Sequence, residues 1–341
     1  MSPHSRIPGK ISTVMAGALT ACALLAVELA VPPARAAAPQ QRVQVAGWYR
    51  MMLGDFEVTA LLDGTHPFPV DEVMTHATHE QLDQLLASAD TPRPVEGPIN
   101  AFLINTGSRL VLIDSGAGTL YGECCGHLIA NLRAAGYQPE QVDDIFLTHL
   151  HRDHVGGINA RGQMAFPNAT LHISRTDADY WTSRDQQKLA PAFLGSMFDG
   201  AIESLQPYLA AHRVQTFVGG VDLLPGLRAM PSAGHTPGHT AYVVESRGQK
   251  LVVWGDVVHV APIQFPAPGI RLKYDSDQDQ AEQVRRQLFA EAAQQGQWVA
   301  AAHIAFPGIG HILARDGRYD WAPAAFTSWL PAPAAASAPA R

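Results

Sequence analysis

The run from His149 to His154 reads HLHRDH and holds three imidazoles and one carboxylate. His149 and His151 alternate, so on an extended segment both side chains point the same way. Asp153 and His154 lie one turn further on and face a second point nearby. Neutral imidazole and carboxylate are ligands that zinc and similar divalent ions accept. The spacing therefore predicts a site for two metal ions.

Three later residues offer the ligands that this run lacks. His235 lies in a Gly/Pro-rich turn, GHTPGH, and Asp256 ends an apolar strand-like stretch. His303 follows the apolar run 299–302. Each of these alone is equally well explained as a hydrogen-bonded structural residue, although an unpaired carboxylate in Asp256's position would be costly. Together, at successive strand ends, they predict the remaining ligands.

The elements that must position these residues alternate between strands and helices in two successive halves. The predicted strands cover 48–53, 56–62, 101–105, 110–114, 142–147, 223–230, 241–245, 251–254 and 298–302. The predicted helices cover 78–90, 126–135 and 281–294, with a helix-rich stretch over 175–210. This order predicts an α/β fold in which two sheets pack face to face with helices outside, an αββα sandwich. Loops at one end of the sandwich would then carry the ligands.

Composition limits the classes of function. The 341 residues carry a formal charge of −7 and no run of Lys or Arg, which argues against nucleic acid as a partner. We find no internal repeat or linker, and predict one domain over 43–330. The tail, 331–341, is rich in Pro and Ala and is predicted to be disordered. Cys124 and Cys125 are adjacent, which strains a disulfide between them, so we expect packed or free thiols.

The N-terminus has the layout of an export signal. Residues 1–36 combine a polar, basic start with an apolar stretch and end on small residues, which predicts a cleaved signal peptide and a periplasmic or secreted protein. Two alternatives stay open, namely a membrane anchor and a lipoprotein signal with its lipid on Cys22. Glu28 and the prolines that follow it argue against the anchor, so the mature chain is expected to lack a stable membrane span.

Longer stretches around the motifs resemble a known family. They are GWYRMMLGDFEVTALLDG, NTGSRLVLIDSGAG, HLHRDHVGG, GHTPGHTAYVVESRGQKL and AAHIAFPGIGHI. Their order is similar to that of the metallo-β-lactamase superfamily, and within it to methyl parathion hydrolase and its lactonase and arylesterase relatives, over 45–321. The resemblance implies a sandwich of two mixed β-sheets flanked by helices, with two metals between the sheets.

The resemblance also assigns roles to matching positions. The matching positions form two groups of ligands, one for each metal, while Asp256 and a hydroxide would bridge the two metals. The first group is His149, His151 and His235; the second is Asp153, His154 and His303. Asp114 and His239 would orient these ligands from behind. Zn²⁺ is the expected ion, with Mn²⁺, Co²⁺ and Fe²⁺ as alternatives that the same ligands accept. Relatives suggest a homodimer.

The predicted reaction is hydrolysis, in which a metal-bridging hydroxide attacks a lactone or aryl-ester carbonyl and Asp153 and Asp256 serve as the catalytic carboxylates. A substrate pocket is predicted from Tyr121, Trp181, Phe198, His259, Leu272 and Tyr274. His259 stands where the organophosphate enzyme has an apolar residue, and this favours a lactone or ester over a phosphotriester. The main alternative function is hydrolysis of phosphotriesters. Two further alternatives are a metal-binding protein without catalytic activity and a redox enzyme related to this family.

Overall fold

The structure, a computed structural model, describes residues 38–330. The strands are β1 Trp48–Leu53, β2 Phe56–Phe68, β3 Met74–Thr75, β4 Val95–Asn105, β5 Leu110–Ile113, β6 Asp144–Phe146, β7 Asn159–Ala160, β8 Gln163–Met164, β9 Thr170–Ser174, β10 Val214–Phe217, β11 Asp222–Leu224, β12 Leu227–Pro231, β13 Thr240–Ser246, β14 Gln249–Val253, β15 Arg271–Leu272, β16 Trp298–Ala300, β17 Ile309–Arg315 and β18 Arg318–Pro323. The helices are α1 Val70–Val73, α2 His79–Ser88, α3 Leu128–Ala134, α4 Arg152–Val155, α5 Arg175–Trp181, α6 Arg184–Leu189, α7 Gly195–Ala210, α8 Ala261–Gln264 and α9 Gln278–Gln295.

Two seven-stranded sheets are built from the two halves of the chain. The first sheet has the order β1-β2-β4-β5-β6-β9-β10 and the second the order β11-β12-β13-β14-β16-β17-β18. Both are mixed: β5, β6, β9 and β10 run parallel in the first, and β14 and β16 run parallel in the second, with antiparallel pairs elsewhere. Two small ribbons, β3 with β15 and β7 with β8, lie outside them.

Alternation along the strands fixes four layers. In β5, Val111 and Ile113 face the apolar core between the two sheets, whereas Leu112 faces the core formed with α3, α5 and α7. In β14, Val253 faces the core between the sheets and Val252 packs toward α9. Each sheet therefore buries both faces, and the predicted αββα sandwich is confirmed.

The structure has more strands than the sequence predicted. A hairpin of β17 and β18 ends the second sheet, and its turn, Asp316-Gly317, has positive φ at both residues, 47° and 79°. An Asp-Gly pair between two extended segments is a strong signal for a β-hairpin, but the sequence analysis did not predict this hairpin. The first sheet also gains β9 and β10 on either side of the helical stretch 175–210, and β2 continues to Phe68.

Some predictions concern residues that the structure does not describe. The signal peptide over 1–36, the lipid site at Cys22 and the disordered tail over 331–341 lie outside the described residues and stay predictions, as does export. Within 38–330, no helix has both the length and the apolar character that crossing a bilayer requires. Cys124 and Cys125 are free thiols, as expected.

Candidate metal centre

The HLHRDH run bridges the end of β6 and the short helix α4. The Gly156-Gly157 pair that follows is required by packing, because the loop after β5 crosses directly over it. A Cβ on Gly157 would lie 1.8 Å from the carbonyl oxygen of Ser115, and one on Gly156 would lie 2.1 Å from that of Ala117. Only glycine leaves room for this crossing.

All seven predicted ligands meet at one end of the sandwich, and every one is buried. Four come from the loop after β6 and from α4, on the first sheet. The other three follow strands of the second sheet: His235 follows β12, Asp256 follows β14 and His303 follows β16. The centre therefore joins the two sheets, and each half of the fold supplies part of it.

Asp256 lies between two groups of imidazoles. Its Oδ2 is 3.6 Å from His149 Nε2 and 3.2 Å from His235 Nε2. Its Oδ1 is 3.0 Å from His154 Nε2 and 3.2 Å from His303 Nε2. Because His303 Nε2 is also 3.3 Å from Oδ2, the carboxylate contacts imidazoles of both groups without a strict division between its two oxygens.

Asp153 completes the second group. Its Oδ2 is 3.5 Å from His303 Nε2 and 3.8 Å from His154 Nε2. In the first group, the Nδ1 of His151 lies 3.0 Å from the Nε2 of His235. The donor atoms of each group lie within 4.8 Å of one another, which is close enough to surround a single ion.

Buried polar atoms without partners show that this donor set fits metal ions. Within the described residues, the Nε2 atoms of His149 and His154 and the Oδ1 of Asp256 make no hydrogen bond. Leaving such atoms unsatisfied in the interior costs about 1–3 kcal/mol each. These atoms lie close together, since Asp256 Oδ1 is 3.0 Å from His154 Nε2 and Asp256 Oδ2 is 3.6 Å from His149 Nε2, and imidazole with carboxylate is the donor chemistry of zinc and related divalent ions. The residues therefore fit two divalent cations.

The comparison with known families agrees with this geometry. Residues 94–303, more than half of the chain, match the family model described as the metallo-beta-lactamase superfamily. The chain belongs to the metallo-beta-lactamase superfamily. Membership identifies it as a metal-dependent hydrolase with lactonase relatives.

Two solved structures are similar to this chain over most of their length. The crystal structure of the hydrolase AbOPH is 40% identical, with a TM-score of 0.81, covering 84% of this chain and 100% of that one. AidC, a dizinc quorum-quenching lactonase solved with the product N-hexanoyl-L-homoserine, is 26% identical, with a TM-score of 0.77, covering 83% of this chain and 99% of that one.

A curated relative matches over a shorter region. The N-acyl homoserine lactonase of Bacillus cereus is 27% identical over 126 residues, which is 37% of this chain. The chain spans 42% of that relative's length. The particular resemblance to methyl parathion hydrolase stays a prediction.

Charge in this metallo-beta-lactamase centre favours cations. Burial, reinforced by neighbouring imidazoles, lowers the pKa of His149 and His151 well below the usual range, so both rings are neutral donors. Burial opposes charge on His235 too, but hydrogen bonds to Asp256 and Asp275 outweigh it and raise its pKa to about 9. Asp256 likewise raises the pKa of His154 and His303 against burial. The carboxylates thus attract positive charge, which two metal ions would provide.

Asp114, a predicted support for the ligands, contacts the ligand His154 and the backbone and hydroxyl of Thr148. Its Oδ2 accepts a hydrogen bond from His154 Nδ1 at 2.9 Å, and its two oxygens accept the backbone N–H and the hydroxyl of Thr148, each at 2.8 Å. Asp114 has a φ of 59°, which Asp tolerates better than most side chains. The residue therefore orients a ligand and anchors the loop before the run.

His239, the other predicted support, holds Asp256. Its Nε2 accepts the backbone N–H of Asp256 at 3.0 Å, while its Nδ1 is 2.8 Å from the hydroxyl of Ser232. Burial lowers the pKa of His239 to about 3, so the ring is neutral and can accept. Gly255 makes this approach possible, because a Cβ there would lie 2.8 Å from His239 Nε2.

The structure reveals two supporting carboxylates that the sequence analysis missed. Asp275 lies 2.8 Å from the Nδ1 of His235, and both side chains are buried. Asp177, on α5, accepts the N–H of Leu150 and that of Gly238, each at 2.9 Å, and so ties together ligand loops from the two sheets. Burial raises the pKa of Asp177 to about 6. Neither residue belongs to a motif with characteristic spacing.

A cavity of about 240 Å³ opens onto the ligands. It is lined by His66, Phe68, Pro69, Tyr121, His151, Arg152, Asp153, Phe193, Ser196, Met197, His235, Asp256, His259, Tyr274 and His303. Of the six predicted pocket residues, Tyr121, His259 and Tyr274 lie on its surface.

The other three predicted pocket residues do not reach the cavity, and their assignment is corrected. Trp181, Phe198 and Leu272 are fully buried. The ring of Trp181 packs edge-on against His151, with centroids 4.7 Å apart, and Phe198 packs on Trp181 at 4.5 Å. Burial of such large apolar side chains is more favourable than exposing them at a polar site, so they support the wall from behind.

His259 is part of the centre as well as of the cavity. Its Nε2 lies 3.0 Å from Asp256 Oδ2, and its ring stacks on His303 with a centroid distance of 5.1 Å. Burial lowers the pKa of His259 to about 4, so the ring is neutral near pH 7. His259, Asp256 and His303 form a third group of donors close enough to share an ion.

Proposed function

We propose that this chain is a dinuclear-metal hydrolase of lactones or aryl esters. The observation that carries the proposal is the position of Asp256, whose carboxylate lies within 3.6 Å of imidazoles from both groups of buried ligands. One cation would be held by His149, His151 and His235, and the other by Asp153, His154 and His303. Zn²⁺ is the ion we propose, because a dizinc lactonase is among the similar structures.

When bound, two divalent cations would supply Lewis-acid activation of a water molecule and of the substrate's carbonyl oxygen. The chain's own residues hold this chemistry in place. Asp114 and Asp275 accept the Nδ1 protons of His154 and His235, which fixes each ring with its Nε2 toward the centre. Apolar packing beneath the ligands, with Trp181 against His151, excludes water from that side.

The cavity wall supports a carbonyl substrate. Polar groups line it next to the ligands, among them His66, Ser196 and His259. A lactone or ester presents oxygens that such groups can bind, and the apolar side chains of the same wall, Phe68, Phe193 and Met197, can pack against its acyl or aryl part. The similarity to lactonases points the same way.

The test compares three substrates on purified, zinc-loaded protein: an aryl lactone such as dihydrocoumarin, an N-acyl homoserine lactone and methyl paraoxon. We expect kcat/KM to be higher for the lactones than for the phosphotriester. A preference for methyl paraoxon of about tenfold or more, about 1.4 kcal/mol in activation free energy, would overturn the substrate class. Asp153→Asn should abolish hydrolysis of every substrate, because it removes a ligand of the second ion.

A further inference from the structure

Arg152 is the one residue of the HLHRDH run with a charged side chain that the metal centre does not use. It lies between the ligands His151 and Asp153 and lines the cavity. Its guanidinium carbon lies 4.9 Å from the centroid of the Tyr121 ring, an arrangement that favours a cation over an aromatic face. This cation therefore lies on the wall of the cavity that holds the proposed reaction site.

Packing on both sides fixes the side chain of Arg152. Its stem lies against α7 at Gly200, where a Cβ would come within 2.4 Å of Arg152 Cγ. The Tyr121 ring beneath the guanidinium is itself held by His66, with ring centroids 5.4 Å apart. A side chain ordered in advance loses little conformational entropy when it binds a ligand.

Apart from the Tyr121 ring, the charge of Arg152 has no carboxylate partner in the described part of the chain. Its Nε is buried and makes no hydrogen bond within residues 38–330. Among residues 38–330, the only carboxylates on the cavity wall are Asp153 and Asp256, and both contact imidazoles of the metal centre. A half-buried guanidinium without a carboxylate is costly to keep, and its planar N–H groups match a carboxylate in two-point hydrogen bonding.

We propose that Arg152 binds a carboxylate carried by the substrate, so that the preferred esters or lactones are anionic. This inference rests on the proposed function, because it places the second anchor of the substrate in the same cavity as the reacting carbonyl. The metal centre would hold the scissile carbonyl, and Arg152, on the cavity wall over Tyr121, would hold the acidic group. Arg152 is then a specificity-determining residue.

The experiment uses two esters that differ in one group, 4-acetoxybenzoate and its neutral counterpart 4-acetoxybenzamide. We expect zinc-loaded wild-type protein to hydrolyse the carboxylate with kcat/KM about tenfold or more above the amide, from the strength of a charged hydrogen-bonded pair. Arg152→Gln should erase this preference mainly through KM, while Arg152→Lys should retain part of it. Arg247→Gln is the matched control, since Arg247 pairs with Asp55 in an exposed turn.

A binding measurement separates this inference from the proposed function. Calorimetry should give tighter binding of 4-hydroxybenzoate than of 4-hydroxybenzamide to wild-type protein, and no difference for Arg152→Gln. If neither ester is hydrolysed but this binding difference is present, the reaction assignment fails and the Arg152 site stands. Equal binding and equal turnover of each pair in wild type would overturn the inference. So would an Arg152→Gln variant that loses zinc, or that loses both esters equally.

Discussion

Substitution of Asp275 by Asn tests whether this carboxylate tunes the first metal group. The carboxylate lies 2.8 Å from the Nδ1 of His235 in a fully buried pair. Asparagine keeps the shape and one acceptor oxygen but removes the charge, so the hydrogen bond becomes neutral and weaker. Arg285, 3.7 Å from Asp275, keeps its hydrogen bonds to three backbone carbonyls and should stay in place.

We expect this substitution to lower the affinity for one of the two metal ions. Residues that orient ligands typically contribute about 10–100-fold to metal affinity, or about 1.4–2.7 kcal/mol. Competition between the Asp275→Asn protein and a chromophoric zinc chelator should therefore show one weakened site and one unchanged site. Asp277→Asn is the control, because Asp277 caps α9 by accepting the N–H of Gln280 and Asn caps equally well. Wild-type affinity at both sites in Asp275→Asn, or an equal loss in the control, would refute the role.

Three further predictions concern the whole molecule. Removing the ions with EDTA should lower Tm by on the order of 10 °C, since a ligand at about a thousand times its Kd contributes about 4 kcal/mol; calorimetry that shows the same Tm after verified metal loss would contradict the metal centre. Trp181→Ala should cost about 3–5 kcal/mol of unfolding free energy and leave substrate preference unchanged, whereas Tyr274→Ala should change the preference with little loss of stability; chemical denaturation with the substrate panel checks both. Burial opposes charge on Asp144, but hydrogen bonds from His172 and Arg109 outweigh it and lower its pKa. Its stabilising contribution is thus present above about pH 4 and lost as pH falls through the lowered value, so the stability gap between wild type and Asp144→Asn, measured by urea unfolding, should close in acid.

The sequence identified the candidate metal ligands that the fold brings together, because their chemistry and their order along the chain are both unusual. His149 and His154 share a six-residue run, and a carboxylate such as Asp256 at the end of an apolar strand needs a cation nearby. The order of strands and helices in two successive halves also predicted the two sheets, because each half can form one sheet with helices on its outer face.

The supporting residues and the pocket could not be predicted in the same way. Asp275 reaches His235 from 40 positions away, and only the folded chain brings the two together. Trp181 and Phe198 lie on helices whose orientation relative to the cavity depends on tertiary packing, which no spacing encodes. Tyr121 and Tyr274 were predicted by the same reasoning and do line the cavity. The presence of an aromatic residue therefore does not show whether its side chain lines the cavity or lies in the core.

Asp177 has a consequence for how the protein acquires its ions. By accepting hydrogen bonds from the N–H groups of Leu150 and Gly238, it connects both ligand loops through protein contacts alone. Small zinc modules that fold only when the metal binds lack such a connection. We expect these hydrogen bonds to hold the ligand loops in place without the ions, so that one ion can replace another without the chain refolding. The supply of ions around the protein, rather than its folding history, would then decide which metal it carries.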